Sequence, residues 1–126
     1  MSVIDGSRSV KCLTVLKKYD ICLVRLDMPR KGSHVQGGFR PAIIVSNDVC
    51  NRYSPVVTIV PLTSKRKRYI PTHLNICGFG LNGPGIILCE QITVINRTQV
   101  ARKIGHIYDR GVQNAINHAI CTHIAM

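Results

Sequence analysis

The sequence predicts a mainly β domain of the α+β kind: a partly closed antiparallel barrel with an α-helix packed on one end. Three observations carry that prediction. Short β-branched runs recur through most of the chain, Gly, Pro, Asn and Ser separate them, and the one strong helical stripe comes last.

In chain order, residues 1–18 read as an N-terminal extension and residues 19–126 as a single domain. Strands are expected at Ile21–Leu26 (ICLVRL), Ala42–Ser46 (AIIVS), Val56–Leu62 (VVTIVPL), Thr72–Cys77 (THLNIC), Ile86–Cys89 (IILC) and Ile92–Ile95 (ITVI). In the fourth, Thr72, Leu74 and Ile76 alternate with His73, Asn75 and Cys77, so the first set packs inward and the second, His73 included, meets solvent or a partner. CGFGLNGPGI, with four glycines and a proline, is a loop. Asn96 is expected to cap a short helix over Arg97–Arg102. Asp109 caps a longer one, whose Val112, Ala115, Ile116, Ala119 and Ile120 follow the i, i+3, i+4, i+7, i+8 pattern of a helix lying on a core.

Composition narrows the function. Lys and Arg number 17 against 6 Asp and Glu, a formal net charge of +11, in a chain of 126 residues that is 45% hydrophobic with mean hydropathy +0.12. Such a chain folds, and its charge calls for a polyanion, nucleic acid first among them. No apolar run has the length of a spanning helix, so no membrane role is expected. The cysteines show no C-x-x-C pair; Cys22, Cys77, Cys89 and Cys121 sit in apolar segments as small hydrophobes, which fits the cytoplasm. Asp5 and the absence of an apolar leader core argue against a signal peptide. His118, Cys121 and His123 do not share a helical face as a zinc site requires, and the scattered acidic residues form no magnesium cluster, so no cofactor is expected.

Three stretches carry chemistry. In QGGFRPAIIVSND, Gly37 and Gly38 form a hinge and Pro41 drives Arg40 toward an extended backbone, which fixes its guanidinium on a strand end where it can grip a phosphate with two parallel donors. An ordinary surface Arg beside a turn satisfies the same pattern. In VPLTSKRKR, the hydroxyls of Thr63 and Ser64 precede four cations starting with Lys65 and Arg66, a plausible phosphate grip or a solvated loop. A lone Thr at a strand end is usually a backbone cap. In LCEQIT, Glu90 and Gln91 interrupt a buried strand and need partners, either in a structural network or in a groove.

Taken together and in order, QGGFRPAIIVSND, NRYSPVVTIVPLTSK, PTHLNI, ILCEQI and KIGHI resemble the MazF/PemK family of toxin endoribonucleases, over roughly Tyr19 to the C-terminus. The resemblance implies an SH3-like barrel that forms a homodimer and cuts single-stranded RNA, mRNA included, at short motifs without a metal, inhibiting translation and growth. It implies a bacterial cytoplasmic setting and a cognate MazE-like antitoxin whose acidic tail occupies the RNA groove. Arg40 falls on the family's catalytic Arg and Thr63 on its catalytic Thr. Asn47, Gln91 and the loop before Gly37, with Ser33 and Gln36, fall on RNA-contacting positions beside Gly38, Ser64, Lys65 and Arg66. Many members carry a carboxylate just before the loop Gln. This chain has Val35 there with His34 beside it, and an imidazole, which titrates near neutrality, is a candidate for part of the proton transfer. The rival expectation is a non-catalytic nucleic-acid-binding barrel or a gyrase-inhibiting toxin of the same architecture, which needs positive charge but no paired donors at one phosphate.

Overall fold

Three strands form the centre of the structure, and each is apolar on both faces: β1 (Asp20–Leu26), β2 (Gly38–Ile44) and β3 (Val56–Thr63). The computed structural model describes residues 15–27, 31, 32, 34, 37–65 and 68–125. Alternation sends Ile21, Ile43, Val60 and Leu62 into one core and Cys22, Val24, Leu26, Ala42, Ile44, Val57 and Ile59 into a second. The first core is covered by Ile76 of β4 (His73–Ile76), Ile87 of β5 (Gly85–Leu88) and Ile116 and Ala119 of the C-terminal helix. Leu16, Ile95 of β6 (Thr93–Asn96) and Val100 of β7 (Val100–His106) close the second.

All strand pairs are antiparallel, in the order β4-β5-β3-β2-β1-β7, with β6 also on β3. β3 changes partner along its length: Val56–Ile59 pair with β6, whereas Leu62 and Thr63 pair with β5. Pro61, which has no N–H to give a ladder, stands between the two pairings. The sheet therefore splits at Pro61 and curls around the second core. β6 and β7 are joined by a tight turn at Arg97–Gln99 and are not paired with each other, so the barrel is partly closed, as the sequence predicts.

The expected helix over Arg97–Arg102 is not there. Asn96 does cap, in a reciprocal box with Gln99, but the turn stops at Gln99. The outer edge of β1 needs backbone partners, and Val100–His106 supplies them from Val24↔Val100 to Asp20↔His106. Tertiary pairing overrides the local helical signal. Buried Asp20 reinforces the edge, accepting from Lys17 N at 2.8 Å, Lys103 Nζ at 3.1 Å and His106 Nδ1 at 2.8 Å.

A short helix that the sequence reading did not anticipate, α1 (Asp48–Tyr53), follows β2; the Asn47 side chain caps it by accepting from Cys50 N at 2.9 Å. Fully buried Asn51 donates to Ser46 O at 2.8 Å and accepts from Ser46 Oγ, which itself accepts from Thr58 N at 3.0 Å. This network fastens α1 to β3. The last helix, α2 (Arg110–Ile124), is capped by Asp109 as expected, at 3.0 Å from Val112 N. Leu16, inside the segment read as an extension, is buried, and Lys18 N donates to Asp48 Oδ1 at 2.8 Å.

Of the four cysteines in apolar segments, Cys22 and Cys89 are buried while Cys77, on the face expected to look outward, and Cys121 are exposed. Cys77 follows inward Ile76, so strand alternation turns it outward, and Cys121 lies off the Val112, Ile116, Ala119 and Ile120 stripe by which α2 meets the core. Burial, then the Asp20 carboxylate, pushes the Cys22 thiol up to about 12; burial, then Glu90, does the same to Cys89. Among the described residues no helix is long and apolar enough to cross a membrane.

The glycine-rich loop between β4 and β5 lies on β7 at very close range. A Cβ on Gly105 would stand 1.7 Å from Phe79 O, and one on Gly80 would stand 2.5 Å from Ile104 O. Phe79 adopts φ +56°, and its ring meets Tyr108 edge-on with centroids 5.1 Å apart.

Candidate active site

Gly38 opens β2 with φ +73°, a left-handed conformation natural to glycine, and the chain then runs extended through Arg40. Arg40 is half-buried opposite Val24, and its Nε donates to Gly37 O at 3.0 Å. That bond braces the guanidinium. Its two Nη groups take no partner among the described residues and remain available for an anion.

β2 pairs with β3 through Ile44↔Ile59, Ile43↔Val60 and Ala42↔Pro61. The paired register ends at Ala42↔Pro61; extended by two residues it would bring Arg40 opposite Thr63. Thr63 is buried, and its Oγ1 accepts from Lys65 N at 3.2 Å, the local cap that its strand-end position suggests; the hydroxyl proton is left to donate elsewhere. Ser64, Lys65 and Arg68 follow at the exposed end of β3.

Clefts formed by the described residues flank this end of the sheet, two of them bearing on the site. The wider, about 700 Å³, has an apolar wall of Leu23, Pro41 and Leu62 facing Thr63, Ser64, the Gly80–Gly85 loop and Arg102. It belongs to the face of β2 opposite Arg40, since Leu23↔Pro41 and Val24↔Arg40 alternate. The smaller, about 410 Å³, is walled by Leu26, Pro61, Glu90 and Gln91. Leu26 and Pro61 are cross-strand partners of Gly38 and Ala42, the residues that flank Arg40 on its own face. Arg40 itself lines neither cleft: the smaller one shares its face of β2, while Thr63 lines the wider one.

Gln91 ends a tight turn, Cys89–Gln91, and donates through Nε2 to His34 O at 3.1 Å, tying that turn to the connection between β1 and β2. His34 itself is exposed. Glu90 and Gln91 divide the two fates that the sequence leaves open. Gln91 faces the cleft and the loop, whereas Glu90 also accepts from Thr72 Oγ1 at 2.9 Å and His73 Nε2 at 2.8 Å. The outward orientation expected for His73 is corrected: its side chain is 10% exposed, because the Glu90 carboxylate draws it under the turn.

Arg40, Gly38, Thr63, Ser64, Lys65, Gln91 and His34 thus gather at one end of the sheet. Asn47 does not. It lies seven residues beyond Arg40, past the far end of β2, where its side-chain oxygen is engaged in capping α1. Ser33, Gln36 and Arg66 lie outside the described residues. Arg102 went unnoticed in the sequence because the segment was read as helical; strand alternation in KIGHI, extended backwards, was the available signal. Among the described residues no group of three or more His, Cys, Asp or Glu side chains is placed to hold a metal ion.

The sequence profile of PemK-like, MazF-like toxins of type II toxin-antitoxin systems matches residues 17–124. The chain is 34% identical over 109 residues to a protein of Staphylococcus saprophyticus named endoribonuclease MazF, covering 84% of this chain and 88% of that protein. It is 31% identical over 115 residues to endoribonuclease EndoA of Bacillus subtilis, covering 89% and 97%. Its fold is similar to that of MazF from Deinococcus radiodurans, with a TM-score of 0.75 at 20% identity over 90% of this chain and 99% of that one. A mycobacterial endoribonuclease solved in complex with its cognate antitoxin aligns with a TM-score of 0.71 at 24% identity, covering 88% and 96%.

Proposed function

The chain belongs to the family of PemK-like, MazF-like toxins of type II toxin-antitoxin systems, and from that premise we propose that it is an endoribonuclease whose reacting phosphate is held by Arg40 and Thr63. What supports the assignment of residues is that Arg40 is braced on Gly37 O at a strand end, and that the β2–β3 register, extended two residues past Ala42↔Pro61, brings it opposite Thr63. A binding barrel requires cations but no such pairing of a guanidinium with a hydroxyl.

The substrate is single-stranded RNA, whose own 2′-hydroxyl is the nucleophile. Its oxygen attacks the adjacent phosphorus, the P–O5′ bond breaks, and the products carry a 2′,3′-cyclic phosphate and a 5′-hydroxyl. The reaction needs no metal-bound water. The protein must hold the in-line geometry, neutralise charge building on the equatorial oxygens, and move one proton from the 2′-hydroxyl and another to the leaving 5′-oxygen. The free Nη groups of Arg40 and the O–H of Thr63 meet those oxygens. Arg stays protonated, which makes it a poor base, and His34 on the adjoining loop is the proton carrier in this scheme. Gln91 positions the strand beside the smaller cleft, Ser33, Gln36 and Gly38 are further RNA contacts, and Ser64, Lys65 and Arg66 hold flanking phosphates. Asn47 is a remote contact at most.

Cleavage of mRNA arrests translation and growth in the bacterial cytoplasm. The working form is a homodimer, restrained by a MazE-like antitoxin whose acidic tail fits the +11 charge. The test is incubation of the purified protein with a long single-stranded RNA in EDTA and mapping of the product ends. Discrete fragments with cyclic phosphate termini, abolished by Arg40→Ala, are expected. A gel shift without cutting overturns the nuclease reading in favour of a binding barrel.

A further inference from the structure

The turn that presents Gln91 has no side-chain cap of its own. What holds it is the N-terminal end of β4. Glu90 uses both carboxylate oxygens, Oε1 accepting from Thr72 Oγ1 at 2.9 Å and Oε2 from His73 Nε2 at 2.8 Å, while Cys89 N donates to Thr72 O at 3.1 Å. A carboxylate can only accept, so the Glu90-facing nitrogen of His73 carries the hydrogen, and Nδ1, buried and without a partner, carries none in the neutral ring. Thr72 is buried and the His73 side chain nearly so, while the Glu90 side chain stays partly open to the smaller cleft.

From this anchored turn Gln91 reaches His34 O, 57 residues away in sequence. Three residues beyond His34, Gly37 O accepts from Arg40 Nε. We propose that Glu90, clamped by Thr72 and His73, is a positioning residue: it fixes Gln91, and through Gln91 it holds His34, six residues ahead of Arg40. It touches no reacting atom. The inference rests on the nuclease reading for its catalytic consequence but not for its structural one.

Two measurements on the full-length protein separate those parts. The first is backbone hydrogen exchange over residues 31–38 in the wild type, Glu90→Ala, Glu90→Gln and Gln91→Ala. Glu90→Ala and Gln91→Ala are expected to raise exchange in that connection to a similar extent and leave β1 and β2 protected. Glu90→Gln keeps an acceptor for His73 and a group that Thr72 can bond, and restores most of the protection. Unchanged exchange in Glu90→Ala, or exchange raised throughout the barrel, overturns the proposal. The second is a double-mutant cycle on kcat/KM for RNA cleavage. Each single Ala variant is expected to lose about tenfold or more, and the double variant no more than Gln91→Ala alone, because Glu90 acts only through Gln91. Losses that multiply show independent roles and overturn it. If the wild type cuts nothing, the nuclease reading fails while the exchange result still decides the positioning claim.

Discussion

Gly105 and Phe79 are in backbone contact so close that a methyl group at residue 105 would stand 1.7 Å from the Phe79 carbonyl oxygen. The atom it meets is backbone, with no rotamer to turn away. Gly105→Ala is expected to destabilise the fold by about 1–3 kcal/mol, the usual cost of overpacking, and to push the β4–β5 loop off β7. Urea unfolding gives the first quantity. Loss of the near-ultraviolet signal from the Phe79–Tyr108 pair reports the second.

Arg40→Lys keeps the charge but not the planar fork. Cleavage is expected to fall by about 10²-fold or more, the scale of a lost donor at a developing oxyanion, with RNA affinity nearly intact. Single-turnover rates beside fluorescence anisotropy separate the two effects. An Arg40→Lys enzyme as fast as wild type removes the guanidinium from the mechanism.

His34→Ala is expected to slow cleavage and flatten one limb of the pH–rate profile without moving the melting temperature, because the side chain is exposed and its carbonyl, the group that Gln91 uses, is retained. A profile superimposable on the wild type dismisses His34 as a proton carrier.

The two asparagines of the SNDVCN segment separate a cap from a core network. Asn47→Ala loses one cap, about 1 kcal/mol. Asn51→Ala takes the donor from Ser46 O and the acceptor from the Ser46 hydroxyl proton, and is expected to cost more, about 2 kcal/mol or above, because Asn51 is fully buried. Guanidinium unfolding of both variants ranks them. If Asn47→Ala also weakens RNA binding, the nucleic acid extends to the far end of β2.

The buried thiols give a pH dependence with a defined sign. Cys22 and Cys89 are pushed up to about 12 in the folded state, above the ordinary thiol value of 9.0, so between those limits the folded chain binds more protons than the unfolded one. Their contribution is fully present below pH 9 and is lost as pH climbs toward 12. Denaturant midpoints at pH 7 and pH 10, compared with a Cys22→Ala, Cys89→Ala double variant, test this. Under native conditions iodoacetamide is expected to label Cys50, Cys77 and Cys121 and to spare Cys22 and Cys89.

Where a residue pattern had one physical cause, the sequence was enough to read it. Central strands covered on both sides show as unbroken apolar runs, and the α2 stripe with its Asp109 cap has no competing interpretation. The segment after Asn96 misled because its capping box is real while its continuation is decided by a β1 edge far away in the chain. His73 misled for a related reason: alternation gives the face of a residue but not the carboxylate, 17 positions later, that pulls it under cover. Of the site, the Arg40 brace was foreshadowed by Gly-Gly-x-Arg-Pro. The Gln91 link to the His34 carbonyl was not, since a backbone acceptor leaves no trace in side-chain identity.

β1 lies between β2 and β7, and the Asp20–His106 bond on its outer edge joins residues 86 apart. A ribosome making this chain must therefore read almost to α2 before β1 finds its second neighbour. Until then the nascent barrel keeps an unpaired edge, and fragments ending short of β7 are expected to aggregate or be degraded rather than acquire the finished shape. The barrel thus acquires its last long-range pairing only once β7 has been made.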